Sequence, residues 1–407
     1  MLELKGKYNT AKVFTYSIEQ EAISQIVELL NQEAFKECKV RVMPDTHAGK
    51  GCVIGFTANL GNKAIPNLVG VDIGCGMIAV KLGTIDIDFQ SLDKFIRNNI
   101  PHGNKVNKKM QIRLSKEFHD RIVGISNKTK SNPKRNLLSI GSLGGGNHFI
   151  EVNEDKYGDK WLVIHSGSRN FGHKIATYHQ KKAIEYCDKQ VRYFNREKDE
   201  RIELLKQTGR EEEIQKYVQE INSLTEKYNL PKYLCFLEDS RLQEYLEDMK
   251  TAQEYANLNR KVMATKILAS IDLNIDELEG FQTIHNYIDF EDMIVRKGAI
   301  SAGKDEKVLI PINMRDGSII ALGKGNEDWN NSAPHGAGRL MSRSKAKEVI
   351  NLDEYKETME KVWSTSVKES TLDEAPMAYK PMNEIIDNIK DTVEIVDIIR
   401  PLYNFKA

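Results

Sequence analysis

Apolar and polar positions alternate along the 407-residue chain with different periods in different stretches. From the start to about Val80 the alternation is strand-like, and it is broken by glycine clusters such as "VGVDIGCGMIAV". Between Ile85 and Lys130 the period becomes helical, and a second glycine-rich strand block follows, which contains "GGGNHFIEV" and "VIHSGSRNFGHK". We therefore expect the polar side chains of the glycine clusters to lie on tight turns at strand ends.

The segment from Ile175 to about Asn229 is dense in Lys and Glu, has sparse apolar positions, and is interrupted near "TGR". This pattern predicts a solvated helical arm at about residues 175–229. The simplest interpretation is a helical hairpin that decorates a catalytic core. A nucleic-acid-binding arm is the alternative.

The rest of the chain predicts one long helix, a hairpin and a helical end. The helix covers "EDSRLQEYLEDMKTAQEYANLNRKVMATKILASI", and "KVLIPINMRDGSIIALGKG" predicts a hairpin that turns at "RDG". The last hundred residues predict helices and then a short tail, "VDIIRPLYNFKA". Since no repeat or low-complexity linker divides the chain, we expect one large α+β domain over residues 1–407, with mixed β-sheets.

Composition narrows the class of protein. Hydrophobic residues make up 40% of the chain, and the basic and acidic residues both number 59, so the formal net charge is +0. A nucleic-acid partner would therefore need a local basic groove, because a global field is lacking. The opening "MLELKGKYNTAKVF" has no apolar signal-like core, and five cysteines at scattered spacings do not resemble a disulfide framework. We expect a cytoplasmic protein with reduced thiols and no membrane partner.

Four of the nine histidines stand in unusual surroundings. Three of them follow apolar strand-like residues or glycines, which predicts imidazoles at strand ends, where a pocket can form. The four are His148 in "GGGNHF", His165 in "VIHSGSR", His285 in "TIHNYI" and His335 in "APHGAGR".

A carboxylate and a thiol on one short turn extend these histidines into a candidate metal set. Gly74 and Gly76 let the backbone of "VGVDIGCG" fold so that Asp72 and Cys75 converge. Taken singly, each such residue is more often structural; together they indicate a metal site whose donors suit zinc, iron, another late divalent ion or manganese. The set is Asp72, Cys75, His148, His165 and His285.

Glycines and arginines nearby suggest phosphate chemistry. The loop from Gly141 to Asn147 could bring backbone amides to a phosphate, but it lacks the ending of a P-loop, and a tight turn is the favoured interpretation. Arg169 follows His165 closely, and Arg339 and Arg343 follow His335. Because a guanidinium matches phosphate geometry, arginines beside candidate ligands indicate a phosphorylated substrate. Surface ion pairing is the alternative for each.

Six ordered blocks carry a resemblance that covers the chain from about Met43 to "NFKA". They are "MPDTHAGKG", "VGVDIGCGM", "GGGNHFIEV", "HSGSRNFGH", "HNY" and "HGAGRLMSR", and together they resemble the RtcB family of RNA ligases. The resemblance implies a GTP- and Mn²⁺-dependent ligase, acting in RNA repair or tRNA splicing, that joins RNA 3′-phosphate or 2′,3′-cyclic phosphate ends to 5′-hydroxyl ends. It also suggests an archease-like activator as a partner.

Two other functions stay open. A metal-dependent phosphoesterase or nuclease could use the same metal, histidine and arginine set, and a non-catalytic RNA-binding relative could keep the fold. The "HGAGR" turn favours the ligase, because hydrolysis needs an activated water and no separate histidine nucleophile.

The resemblance also assigns roles to positions of this sequence. It makes His335 the nucleophile that carries GMP, before an RNA(3′)pp(5′)G intermediate forms, and it places Asp45 near the incoming 5′-hydroxyl. Two Mn²⁺ ions would bind the metal set, with Cys75 bridging, and Arg169, Arg339 and Arg343 would contact phosphates. GTP would contact Asn147, Glu151, Asn313, Ser318, His335, Gly336, Ala337, Gly338, Tyr379 and Lys406. Many relatives have a serine where Asn313 stands, which puts nucleotide details in question more than the reaction.

Overall fold

The computed structural model describes residues 1–406, which form a mixed α and β domain with several sheets. The helices are α1 Gln20–Leu30, α2 Pro66–Val69, α3 Phe89–Asn99, α4 Lys116–Lys128, α5 Pro133–Leu138, α6 Arg169–Gln207, α7 Ile214–Glu226, α8 Asp239–Ala269, α9 Arg343–Val349, α10 Leu352–Thr358 and α11 Met382–Ile389. The strands are β1 Leu2–Lys5, β2 Thr10–Val13, β3 Val40–His47, β4 Ile54–Asn59, β5 Lys63–Ala64, β6 Gly76–Gly83, β7 Phe149–Glu154, β8 Lys160–Ser166, β9 Leu237–Glu238, β10 Gly280–Ile284, β11 Tyr287–Ile288, β12 Ile294–Lys297, β13 Ala299–Ser301, β14 Lys307–Asn313, β15 Gly317–Gly323, β16 Ser332–Pro334 and β17 Val393–Lys406.

Two large sheets organise the domain. The seven-stranded sheet has the order β10-β6-β8-β7-β17-β15-β14, and every neighbouring pair in it is antiparallel. The six-stranded sheet has the order β1-β2-β3-β4-β12-β11, in which only β2 and β3 run parallel. Short pairs join β13 to β16 and β5 to β9.

Helix α8 lies at the centre of the packing. Its residues contribute to two hydrophobic cores: Tyr245 and Met249 pack with the six-stranded sheet and α6, and Met263 and Ile267 pack with the seven-stranded sheet and α3. All four side chains are at most 1% exposed. The long helix predicted from the sequence is therefore confirmed.

The hairpin predicted at "RDG" is also confirmed, since β14 and β15 pair across that turn. Asn313 Oδ1 accepts hydrogen bonds from the backbone N–H groups of Arg315 and Asp316 and so closes the turn. Gly317 has φ +86°, and a Cβ there would lie 2.0 Å from the carbonyl oxygen of Ile399 on β17. Only glycine fits this position.

The charged segment predicted at about residues 175–229 is occupied by α6 and α7, which pack against each other. The buried residues of α6 lie mostly at or before Cys187, and beyond it Leu205 is buried. The chain leaves α6 after Gln207 and begins α7 at Ile214, so the interruption near "TGR" is observed. The outer half of α6 therefore buries few of its side chains.

Two expectations about elements were wrong. The first 80 residues include a helix, α1, whose residues Ala22, Ile26, Leu29 and Leu30 pack into a core. The short tail "VDIIRPLYNFKA" is the 14-residue strand β17, which joins β7 to β15 inside the seven-stranded sheet. Its apolar residues alternate too irregularly for a clear strand pattern because two register shifts interrupt the pairing.

In the part of the chain that the structure describes, helices are too short or too polar to cross a membrane.

Candidate functional site

Four adjacent strands bring the candidate metal ligands to one edge of the seven-stranded sheet. Cys75 precedes β6, His148 precedes β7, His165 lies near the end of β8, and His285 follows β10. Since these strands are antiparallel neighbours, the start of one lies beside the end of the next. The expectation that imidazoles lie at strand ends is confirmed.

The side chains at this edge touch in a continuous series. Cys75 Sγ lies 3.4 Å from His148 Nε2 and 3.3 Å from His165 Nε2. His165 Nε2 lies 3.4 Å from His285 Nε2, and Asp72 Oδ2 lies 3.1 Å from His148 Nε2. Nitrogen, sulfur and carboxylate oxygen donors therefore converge at one place, as a site for a divalent cation requires. We refer to these five residues as the donor cluster.

Hydrogen bonds on the far side of two imidazoles fix their tautomers. His148 Nδ1 donates to the carbonyl oxygen of Leu143 at 2.8 Å, and His165 Nδ1 donates to that of Asn147 at 3.2 Å. Because a carbonyl oxygen only accepts, each Nδ1 carries the proton and each Nε2 presents a lone pair to the cluster. This is the arrangement of metal-binding histidines, so the donor cluster fits a metal.

Burial controls the charge of the cluster. It lowers the pKa of His165 and His285 well below the usual value, so both rings are neutral, the form that binds a metal. Burial and then the Asp72 charge raise the pKa of the Cys75 thiol. A cation is what would offset the charge of a thiolate here.

His335 lies next to the donor cluster but belongs to another part of the fold. It follows β16, and its ring centroid is 4.7 Å from that of His285. His335 Nδ1 lies 2.7 Å from Oδ2 of the fully buried Asp45 on β3. The turn after His335 approaches the same strand closely: Gly338 has φ +77°, and a Cβ there would lie 2.3 Å from the Asp45 carbonyl oxygen. Gly338 therefore lets Asp45 and His335 meet.

The pairing with Asp45 decides which nitrogen of His335 is free. A carboxylate accepts, so His335 Nδ1 carries the proton and Nε2 keeps a lone pair. The side chain of His335 is 18% exposed, enough for Nε2 to meet a bound molecule. The geometry therefore orients the His335 ring so that Nε2, and not Nδ1, is available to the cavity.

A cavity of about 270 Å³ connects His335, the donor cluster and the last strand. Most of the residues singled out from the sequence line it: Asp72, Cys75, Asn147, Glu151, His165, His285, Asn313, His335, Gly336, Ala337, Gly338, Arg339, Arg343, Tyr379 and Lys406. The cavity thus collects residues from segments spread over most of the chain.

Four of the singled-out residues lie outside the lining. Asp45 and His148 stand behind it and contact His335 and Cys75 respectively. Ser318 is fully buried, and its hydroxyl has no hydrogen-bond partner within residues 1–406. Arg169 points away, and its guanidinium donates to Ser142 Oγ and to the carbonyl oxygen of Gly103. The roles of these residues remain predictions.

The sequence analysis missed Glu374, which lines the cavity and holds three of its polar side chains. Its carboxylate accepts from Lys406 Nζ at 2.5 Å and Tyr379 Oη at 2.7 Å, and it lies 2.7 Å from Arg343 Nη1. Burial alone would raise its pKa, but Lys406 and Arg343 outweigh burial and lower the pKa to about 2. The available signal was an acidic pair in "TLDEAPMAY", just before Tyr379.

Glu151 on β7 is the other buried carboxyl of the lining. Asn404 donates to its Oε1 at 2.6 Å, and Asn153 donates to its Oε2 at 3.4 Å. Burial raises the pKa of Glu151 to about 7, against the effects of Asn404 and Lys406. The carboxylate is therefore a strong hydrogen-bond acceptor at and above neutral pH.

Comparison with known proteins gives one consistent result. Residues 26–407 match the model of the RtcB family, described as tRNA-splicing ligase RtcB. The chain is 28% identical to the RNA-splicing ligase RtcB of Escherichia coli (strain K12), over 96% of this chain and 95% of that protein. RtcB1 of another Escherichia coli strain gives the same values. The tRNA-splicing ligase RtcB of Methanococcus maripaludis is 25% identical over 96% of this chain and 92% of its own.

Proposed function

Because the chain belongs to the RtcB family, we propose that it is an RNA ligase that uses GTP and Mn²⁺ to join an RNA 3′-phosphate, or 2′,3′-cyclic phosphate, to a 5′-hydroxyl. The observation that carries this proposal is the placement of His335, held by Asp45 at 2.7 Å and in contact with the donor cluster. A hydrolase that attacks its substrate with a metal-activated water needs no separate histidine nucleophile beside its metal site.

In the first step, His335 Nε2 attacks the α-phosphorus of GTP. An N–P bond forms, the bond from the α-phosphorus to the bridging oxygen breaks, and pyrophosphate leaves. No proton has to be removed from Nε2, because Asp45 keeps the ring proton on Nδ1. As the ring becomes cationic, the buried Asp45 carboxylate stabilises it.

The donor cluster would hold the two Mn²⁺ ions, and Cys75, His148 and His165 would be central ligands because their donor atoms lie close together. When bound, the ions polarise the transferred phosphate and stabilise its charge. Asp72 supplies the carboxylate, and the hydrogen bonds to Leu143 and Asn147 orient the two imidazoles. Mn²⁺ in place of another divalent ion is part of the proposal.

In the same cavity, Glu151 would accept hydrogen bonds from the N–H groups of guanine, which adenine does not offer in the same place. Tyr379 and Lys406, both tied to Glu374, would line the rest of the nucleotide site. Arg339 and Arg343 also line the cavity, where both lie near the Glu374 carboxylate, and they would contact phosphates.

Two further steps complete the reaction. An oxygen of the RNA 3′-phosphate attacks the phosphorus of the histidine-bound GMP, so that a P–O–P bond forms, the N–P bond breaks and His335 is regenerated. The RNA 5′-hydroxyl oxygen then attacks the RNA 3′-phosphorus and loses its proton, a phosphodiester forms, and GMP leaves.

Labelling tests the first step. We expect the protein incubated with Mn²⁺ and α-labelled GTP to retain acid-labile label, and His335→Ala to retain none. His119→Ala, a matched change at a histidine outside the cavity, should label as wild type does. Absence of label from wild type, or label on His335→Ala, would show that the nucleophile is assigned wrongly.

A companion assay tests the joining step. We expect the labelled protein to join a 3′-phosphate RNA to a 5′-hydroxyl RNA and to release GMP. Cleavage without joining would favour a phosphoesterase, and binding without either reaction would favour a non-catalytic relative.

A further inference from the structure

The net charge of +0 conceals a strong separation of charge along the chain. Residues 102–136, which we call the basic segment, contain ten Lys or Arg and two acidic residues, whereas the rest of the chain contains 49 basic and 57 acidic residues. The local basic surface that a nucleic-acid partner requires of a neutral protein is therefore present in this segment.

Most of these cations are not used inside the protein. Arg121 pairs with Glu254, and Lys128 pairs with Glu244 and Asp248, on α8. The other eight are exposed, and none has a carboxylate partner within residues 1–406: Lys105, Lys108, Lys109, Arg113, Lys116, Lys130, Lys134 and Arg135. Unpaired cations at this density repel one another, and an anionic ligand that binds the segment would relieve this repulsion.

Hydrogen bonds connect the basic segment to the glycine loop that leads to the catalytic cavity. Gly103 N donates to the Gly144 carbonyl oxygen at 2.7 Å, and Asn107 Nδ2 donates to that of Ile140 at 2.9 Å. Gly144 belongs to the glycine loop that leads to Asn147, which lines the cavity, and to His148 of the donor cluster. An RNA strand that leaves the cavity over this loop meets the basic segment at once.

The surface of the basic segment also offers apolar contacts. A shallow depression is lined by Met110, Gln111, Ile112, Arg113, Leu114, Lys116 and His119. Met110 is 41% exposed and Ile112 is 39% exposed, and Lys109 precedes Met110 while Arg113 follows Ile112. Apolar side chains between cations are a surface that suits a single strand, whose bases and phosphates are both accessible.

We propose that Lys105, Lys108, Lys109, Arg113 and Lys116 hold the phosphate backbone of the RNA strand whose end reacts in the cavity. The contact is independent of sequence and lies on the single-stranded part of the substrate. This inference rests on the proposed ligase function, because that function defines which strand leaves the cavity.

The test compares two variants of the full-length protein. In the first, Lys105, Lys108, Lys109 and Lys116 are changed to Gln; in the second, four exposed cations of the helical arm, Lys189, Arg192, Arg196 and Lys206, are changed to Gln. Affinity for a 20-nucleotide 3′-phosphate RNA is measured without GTP over a range of salt concentrations. Neutralising up to four phosphate contacts should weaken binding by about 10- to 100-fold and reduce the slope of log K against log salt by up to about 3.

The arm variant should bind the RNA as wild type does. Both variants should label with GTP at the wild-type rate, because labelling needs no RNA, and the basic-segment variant should raise KM for long RNA much more than for a trinucleotide.

Unchanged RNA affinity or salt slope in the basic-segment variant would overturn this inference, and so would an equal loss in the arm variant. Either result leaves the ligase function intact. Failure of wild type to label with GTP would instead overturn the proposed function, while the RNA-binding comparison would still test the basic segment.

Discussion

The hydrogen bond between Asp45 and His335 sets the tautomer of the proposed nucleophile. In Asp45→Asn, the amide can donate to Nδ1, which would place the ring proton on Nε2 and remove its lone pair. We expect labelling with GTP to slow by about 10²- to 10⁴-fold, as when a carboxylate that orients a catalytic histidine becomes an amide. Single-turnover labelling measures this rate. Asp305→Asn, at an exposed position, is the control; a rate for Asp45→Asn within a few-fold of the control would contradict the role.

Glu151 makes stability depend on pH. Its pKa is about 7 in the folded protein, against 4.5 when unfolded, so between these values the folded state binds more protons. The contribution of Glu151 to the free energy of unfolding therefore has its full value below pH 4.5 and is lost as the pH rises through 7. We expect the free energy of unfolding of wild type, relative to Glu151→Gln, to fall by up to about 3 kcal/mol between pH 5 and pH 8.

Urea denaturation at several pH values measures this difference. Glu360→Gln, an exposed carboxyl, should show a difference from wild type that does not change with pH. If the difference in unfolding free energy between wild type and Glu151→Gln did not change between pH 5 and pH 8, Glu151 would be ionised throughout this range and its raised pKa would be contradicted.

At the residue scale, the types of side chain were predictable, but their partners were not. Cys75 and the histidines carry their chemistry in their type, and glycines beside them signal strand ends. Glu374 carries no such signal in the sequence. What distinguishes it from other carboxylates is its pairing with Lys406 and Arg343, which only the folded structure shows. The same holds for Asp45, whose pairing with His335 joins residues 290 positions apart.

At the scale of elements, periodicity predicted the long helix α8 and the β14–β15 hairpin but missed α1 and β17. Helix α1 has only about three turns, and it follows a stretch whose apolar residues alternate as in a strand. Its helical period was therefore not distinct. For β17, the two register shifts and Pro401 break the alternation. Its place in the sheet depends on β7 and β15, which are distant in sequence.

The interior position of β17 predicts that its buried side chains matter for stability. Phe405 is fully buried in the core with α3 and α8, whereas Val396 on the same strand is 48% exposed. We expect Phe405→Ala to lower the free energy of unfolding by about 3–5 kcal/mol, because it leaves a cavity. Val396→Ala, the matched control, should change it by less than about 1 kcal/mol. Similar losses in the two variants, measured by urea denaturation, would contradict an interior β17.

At the scale of the whole molecule, the cavity is lined by residues from separate sheets of the fold. The donor cluster and Glu151 belong to the seven-stranded sheet, Asp45 to the six-stranded sheet, and His335 to the β13–β16 pair. The proposed nucleophile from one part thereby lies against the proposed metal ligands from another. This arrangement follows from long-range pairing, which local sequence patterns do not encode.

The same arrangement links metal binding to folding. The donors come from Asp72 to His285, more than 200 residues apart, so an unfolded chain cannot present them together, and binding energy becomes stability. At a Mn²⁺ concentration about 100 times Kd, the gain is about 2.7 kcal/mol, which raises Tm by about 3 °C for a chain of this length. Calorimetry with and without Mn²⁺ measures the rise. Cys75→Ser should reduce it sharply, whereas Cys187→Ser, a buried thiol outside the cluster, should keep it. An equal rise in both variants would place the bound ion elsewhere.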